Sequence, residues 1–274
     1  MADNTNNIEG LLPLVLSAAV EAGDEIMKVY ARPTSEWEVE QKSDHSPLTL
    51  ADRSSQAVIA RALTATPYPV LSEEGAHESY AVRQHWHRLW VVDPLDGTKE
   101  FIKRNGEFTV NVALVEAGVP VLGVVYVPVS RRLFWGTATG GAFVASVAPD
   151  GSLHGKSRLP LPREAGRPGY VVVASRSHLS PATADFIAGE RRLHPDLEIH
   201  AAGSSLKICL VAEDRADVYP RLAPTMEWDT AAGHAVATAA GCEFIDAVTG
   251  APVVYNKPDL HNPSFIVRRH TDGY

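Results

Sequence analysis

The sequence predicts a layered protein of the α/β (α+β) class. Three observations carry that reading. Residues 89–92 form a short apolar run with the look of a buried strand. Residues 108–137 show successive strand-period runs separated by turn residues, the pattern of a β-meander. From Tyr170 onward, apolar strands alternate with helical patterns, which points to helices packed on a sheet. The chain has 274 residues and 45% hydrophobic content, ample for a sizeable core in one large domain or two lobes.

Taken in order, residues 11–30 read as an amphipathic helix. Leu12, Val15, Leu16, Ala19, Ile26 and Val29 recur near helical spacing, and Pro13 suits a first turn. A polar link follows over 32–46. Residues 46–52 lead into a second helix ending near Thr64, with Asp52 in its first turns, where the helix dipole favours an acid. Residues 69–75 form a short apolar strand that ends in Glu73 and Glu74. The 89–92 strand then drops Asp93 and Asp96 just past its end. Pro94 fixes the backbone between them, Gly97 permits a positive φ, and Thr98 opens a short helix.

The meander comprises 108–115, 121–127, 133–137 and a strand at 142–144 after Gly140 and Gly141. Residues 148–169, rich in Pro, Gly and charge, mark the boundary between an N-terminal lobe, 1–155, and a C-terminal lobe, 156–274. Beyond it come strands at 170–174, 198–201, 216–219, 243–245 and 264–268. Helices are expected at 181–192, 204–213 and 229–240. Ala231, Ala232 and Gly233 would let the last helix approach other backbone closely.

Lys plus Arg is 25 and Asp plus Glu is 33, so the net charge is 25 − 33 = −8. An acidic chain with no basic run is a poor binder of nucleic-acid polymers. A small anionic substrate would need local Lys, Arg or a metal to overcome that field. The two cysteines, Cys209 and Cys242, form no C-x-x-C, which argues against a disulfide scaffold and a thiolate zinc site. His85-x-His87 reads as surface rather than as a zinc site. Residues 1–7 lack the basic start of a secretory signal, and no apolar run approaches the ~20 residues of a membrane helix. The expectation is a soluble, cytoplasmic protein without a transmembrane segment.

Three acidic clusters carry the chemistry. Asp93 and Asp96 offer oxygen ligands for a hard cation, and the Gly97–Thr98 turn offers N–H groups to an anion. Their spacing is not that of a calcium EF-hand. Glu73 and Glu74 end the neighbouring strand, and Asp229 opens a helix as a cap or first-turn acid. Each cluster alone is consistent with solvated turn residues. If they converge, mutual repulsion demands a cation.

Together, P-V-L-S-E-E-G at 69–75, V-V-D-P-L-D-G-T-K-E-F at 91–101, E-W-D-T-A-A-G-H-A at 227–235 and S-P-L-T-L-A-D at 46–52 resemble the signatures of the inositol monophosphatase superfamily. The stretches D-G-T-K-E-F-I-K-R-N-G-E-F-T-V-N at 96–111, S-R-S-H at 175–178, G-S-S-L-K at 203–207 and V-Y-P-R at 218–221 bring the chain closest to its bacterial 3′(2′),5′-bisphosphate nucleotidase (CysQ-type) branch. The resemblance covers nearly the whole chain.

It implies a layered α-β-α-β-α sandwich. It also implies a lithium-sensitive, Mg²⁺-dependent phosphatase of sulfur metabolism that converts adenosine 3′,5′-bisphosphate to AMP. The sulfated nucleotide 3′-phosphoadenylyl sulfate is a further substrate of the branch. Two or three Mg²⁺ per site are implied, with Mn²⁺ a substitute. Glu73, Asp93 and the Leu95 carbonyl would hold one ion, and Asp93, Asp96 and Asp229 a second. Glu73 and Thr98 would activate water, with Asp52 bonded to the Thr98 hydroxyl. Asp96, Gly97, Thr98 and Asp229 would contact substrate beside the ions, and His178, Ser204, Lys207 and Arg221 would contact the nucleotide. Glu74 has a weaker claim. An inositol or sugar phosphatase is the alternative activity, and a non-catalytic metabolite-binding regulator a more distant one. Monomer or homodimer, and peripheral contact with the inner membrane, stay open.

Overall fold

The computed structural model describes residues 8–42, 46–163, 165–167, 169–175 and 180–269. In chain order the elements are α1 (Ile8–Tyr30), β1 (Glu40–Gln41), β2 (Pro47–Leu48), α2 (Leu50–Leu63), β3 (Val70–Ser72), α3 (Tyr80–Arg83), β4 (Arg88–Asp96) and α4 (Thr98–Ile102). The meander follows as β5 (Thr109–Glu116), β6 (Val119–Val127), β7 (Arg132–Thr137), β8 (Gly141–Val147) and β9 (Leu153–Arg158). The rest comprises β10 (Tyr170–Ala174), α5 (Pro181–Leu193), β11 (Leu197–Ala201), α6 (Leu206–Ala212), β12 (Val218–Arg221), α7 (Ala231–Ala239), β13 (Cys242–Asp246) and β14 (Phe265–Arg269).

A seven-stranded sheet runs β3 to β9 in sequence order, antiparallel except for the parallel β3–β4 pair. A five-stranded sheet has the order β11-β10-β12-β14-β13, parallel over its first three strands and antiparallel over the rest. Both faces of the large sheet are buried. Trp90, Val92, Val110, Val112 and Leu114 point toward α1 and α2. Leu89, Val91, Ala113 and Val115 point the other way, into a core shared with α6, α7 and the small sheet. On the far side of the small sheet, Ile187 of α5 packs with Val172, Leu197 and Val218. The layers are therefore α1/α2, large sheet, α6/α7, small sheet, α5: the expected five-layer sandwich.

The middle helix α7 lies directly on the sheet. A Cβ at Gly136 would stand 2.9 Å from the Val236 Cα, and one at Gly123 would run into the Ala232 carbonyl. Gly233 faces Ile208 of α6 with as little clearance. The small residues of this helix thus serve close approach.

Several local expectations change. Pro13 lies inside α1 rather than in its first turn, because the helix begins at Ile8. The 148–169 link contains β9, which pairs with β8 and completes the large sheet, so strand pairing crosses the expected lobe boundary at 155/156. No helix among the described residues is long and apolar enough to cross a membrane.

Candidate active site

β4 carries two of the acids. Side chains alternate along a strand, so Asp93 shares the face of Leu89 and Val91. Asp96, three residues on, would face the opposite way in a regular strand. The pairing with β5 shifts between Asp93 and Asp96, and this bulge returns Asp96 to the same side. The acids lie within the strand, not past its end as expected. The bulge is pinned: the Leu95 N–H donates to Asp93 Oδ1 at 3.0 Å, and Ser55 Oγ donates to the Pro94 carbonyl at 2.6 Å. Gly97 follows at φ +95°, where a Cβ would also press on the Glu107 carbonyl and Ser204.

Asp229 arrives from the other side of the core. It closes a 3-10 turn, Glu227–Asp229, and Thr230 rather than Asp229 caps α7. The Met226 N–H donates to Asp229 Oδ2 at 2.8 Å. The turn is held by Glu227, whose buried carboxylate accepts from the Asn256 and Lys257 N–H groups and from Lys257 Nζ. Ligand oxygens of Asp93, Asp96 and Asp229 all lie within 4.8 Å of one another. Burial first, and then the surrounding carboxylates, raise the Asp93 and Asp229 carboxyls well above the usual range.

Glu73 adjoins this group at the end of β3, where its N–H donates to the Val92 carbonyl at 3.1 Å. Its carboxyl is also raised, by burial, against the pull of Lys42. Lys42 Nζ lies 2.7 Å from Glu73 Oε1 and 2.5 Å from Glu74 Oε1. The three clustered aspartates supply only oxygen donors and repel one another in a buried place. That donor set fits a hard divalent cation and not zinc.

Asp52 is the N3 acid of α2, in a capping box with Thr49. Its Oδ2 accepts from the Thr49 N–H at 2.7 Å and the Thr49 hydroxyl at 2.6 Å. Its Oδ1 faces Thr98 Oγ1 at 3.1 Å. Burial lifts this carboxyl to about 6, partly offset by its hydrogen bonds.

Two cations, Lys207 and Arg221, line the same cavity as Asp96 and Asp229. Lys207 is 6% exposed, not a solvated surface charge. Its ammonium donates to the Ser204 carbonyl at 2.8 Å and sits 5.4 Å from the centre of the Tyr219 ring. Burial lowers it to about 8 despite nearby Asp96. Arg221 Nη2 donates to the Pro224 carbonyl at 3.1 Å. Ser204 precedes α6 instead of lying in it, at φ +44°, and its buried Oγ finds no partner among the described residues. One cavity of about 170 Å³ is lined by Asp96, Gly97, Ser204, Lys207, Arg221 and Asp229. His178 lies outside the described residues.

Sequence reasoning passed over Lys42, Asn111 and Ser205, which touch Glu73 or Asp96. Asn111 had a signal, being a full amide within the apolar run 110–115. Lys42 had none, because a lysine in a polar link looks like any other.

A model described as the inositol monophosphatase family matches residues 8–273. The chain is 46% identical over 262 residues to a protein of Escherichia coli (strain K12) named 3′(2′),5′-bisphosphate nucleotidase CysQ, covering 94% of this chain and 99% of that one. It is 48% identical over 242 residues to the protein of the same name from Salmonella typhimurium, covering 86% and 90%. Among solved structures, CysQ from Bacteroides thetaiotaomicron superposes with a TM-score of 0.87 at 48% identity, over 97% of this chain and 99% of that one. An inositol monophosphate-bound SaIMPase-II superposes at 0.70 with 19% identity, over 95% and 89%, a likeness of fold.

Proposed function

The chain belongs to the inositol monophosphatase family, and from that premise we propose that it is a 3′(2′),5′-bisphosphate nucleotidase, acting in the cytoplasm on adenosine 3′,5′-bisphosphate to give AMP and phosphate. The sulfated analogue 3′-phosphoadenylyl sulfate is a second substrate of the same shape. The observation that carries this reading is a single cavity lined both by the acids Asp96 and Asp229 and by the cations Lys207 and Arg221. A substrate with two phosphates matches both sets, whereas inositol monophosphate would leave the cations unused.

The cation-holding residues are Glu73, Asp93, the Leu95 carbonyl, Asp96 and Asp229, and the cation is Mg²⁺, which fits their hard oxygen donors. When bound, it supplies positive charge against the phosphoryl oxygens and acidifies the attacking water. Asp52 accepts the Thr98 hydroxyl hydrogen, which turns the Thr98 oxygen lone pairs toward that water. Glu73 takes the water's proton as the new P–O bond forms and the bond to the 3′ oxygen breaks, the 3′ oxygen leaving with the electron pair and taking a proton from solvent. The Gly97 and Thr98 N–H groups hold phosphate oxygens. Lys207, Arg221, Ser204 and His178 hold the 5′-phosphate and sugar. Neither cysteine is needed, and both are buried.

Phosphate release by the purified protein with Mg²⁺ tests this. The panel is adenosine 3′,5′-bisphosphate, 3′-phosphoadenylyl sulfate, 3′-AMP and inositol 1-phosphate. The bisphosphate should give the highest kcat/KM. A higher value for inositol 1-phosphate would favour the sugar phosphatase instead, and no turnover of any would reject a catalytic role.

A further inference from the structure

Asn111 lies directly across the β4–β5 ladder from Asp93, on the face it shares with Ala113 and Val115. It is 1% exposed. Its Nδ2 approaches Ser205 Oγ at 2.9 Å and Asp96 Oδ2 at 3.3 Å. Its Oδ1 is buried and finds no partner among the described residues. An orphaned buried acceptor is destabilising, and an apolar side chain of equal size would avoid that cost. The rest of β5 from Val110 to Val115 is apolar. The amide is therefore present for its donor end, and that end points at Asp96.

Asp96 Oδ2 collects three hydrogen-bond approaches: the Ser205 N–H at 2.7 Å, Ser205 Oγ at 2.8 Å, and Asn111 Nδ2. Ser205 Oγ also lies 2.5 Å from the Asp229 backbone carbonyl. A serine hydroxyl has one proton and cannot donate to both oxygens. Asn111 brings two N–H groups to the same point. With the Ser205 proton on the Asp229 carbonyl, Asp96 Oδ2 is still satisfied by the Ser205 N–H and by Asn111. Asp96 Oδ1 accepts no hydrogen bond among the described residues.

We propose that Asn111, acting with Ser205, is a positioning residue for the cation site. It pins one oxygen of Asp96 so that the other is set beside Asp93 and Asp229 before any ion arrives. Ser205 ties the same carboxylate to the Asp229 backbone, so acids from two layers hold one spacing. A ligand already fixed loses little freedom when the ion binds, which raises affinity without a new contact to it. This inference rests on the metal-dependent reading above.

The test is Mn²⁺ binding to the substrate-free protein, followed by electron paramagnetic resonance, for wild type, Asn111→Leu and Ser205→Ala. Each variant should bind Mn²⁺ about 10–100-fold more weakly, the usual loss when a group supporting a ligand is removed. The Mg²⁺ concentration for half-maximal turnover should rise in step, while KM for the nucleotide at saturating Mg²⁺ stays near wild type. Unchanged Mn²⁺ affinity in both variants, with or without a lower melting temperature, overturns the inference and leaves the nucleotidase reading intact. A wild type that binds no Mn²⁺ overturns that reading itself. If Asn111→Leu does not fold, Ser205→Ala decides by the same criterion.

Discussion

Thr98 Oγ1 lies 3.1 Å from Asp52 Oδ1, so an acid that caps one helix also orients a hydroxyl in the turn after Asp96. Asp52 is the stronger acceptor for that hydrogen when ionised, and burial places its carboxyl at about 6. Turnover at saturating Mg²⁺ should therefore fall on the acid side with an apparent pKa near that value. Thr98→Val should lower kcat by about 10²–10⁴-fold, the range for a lost acid–base arrangement, with the fold kept. The pH–rate profile is the check. A profile flat down to about pH 5 would remove Asp52 from the chemistry.

A second expectation follows from the buried aspartates. Burial and neighbouring carboxylates raise Asp93 and Asp229 above their unfolded values. The metal-free native state then binds more protons than the unfolded chain. The associated stability is present at low pH and is lost as pH rises through the raised values. On the proposed reading, Mg²⁺ would bind only the native state and offset the repulsion. The gap in Tm between Mg²⁺ and EDTA should widen as pH rises above the ordinary carboxylate range. Asp229→Asn should raise Tm in EDTA while abolishing turnover. A gap that stays constant with pH would mean that these acids do not hold the ion.

Among the described candidate nucleotide contacts, Lys207 is the most deeply buried. A lysine two residues after Ser205 would ordinarily be solvated, yet here it is buried beside Tyr219. Lys207→Met keeps much of its volume and removes its charge. It should lower kcat/KM for adenosine 3′,5′-bisphosphate by the equivalent of ~1.5–3 kcal/mol, the range for a hydrogen bond to a charged group. Hydrolysis of 3′-AMP should barely change. Equal losses on both substrates would show that Lys207 does not read the second phosphate.

Acid stability should depend on His234. Its ring stacks on Phe244 with centroids 4.2 Å apart, and Nδ1 meets the Tyr255 hydroxyl at 3.0 Å. Burial drives its pKa down to about 3. Below about pH 6.5 the unfolded chain takes up a proton that the native state refuses. Stability is whole above that pH and falls toward the folded value, by up to ~1.4 kcal/mol per pH unit. With Mg²⁺ in excess, His234→Phe should flatten this slope. Parallel denaturation curves for the two proteins from pH 7 downward would assign the acid loss elsewhere.

Much of this was legible because the sequence marks strand ends with acids. Glu73 and Asp93 each end an apolar run, and Asp229 precedes a run of small residues. The strand periods located the meander, and the alternation after Tyr170 located the small sheet. The bulge between Asp93 and Asp96 was not legible, since Pro94 reads equally well as a turn residue beyond the strand. Nor was β9, whose exposed, polar residues lack the apolar alternation of a half-buried strand. The partners of Asp96 were hidden for another reason. Asn111 and Ser205 stand 15 and 109 residues from it in the chain, and only the packing of layers brings them together.

The seat of α7 on Gly123 and Gly136 makes the large sheet a datum plane for the site. Asp93 is anchored to that plane by strand pairing, and Asp229 is anchored to the helix resting on it. Bare backbone against backbone leaves no compliant side chain between them, so the gauge from acid to acid is set by hard contact. A methyl group at Gly123 would act as a shim, lifting one carboxylate off the other two without touching any of them. The tolerance of the three-acid cluster is thus governed from a strand that carries none of the three.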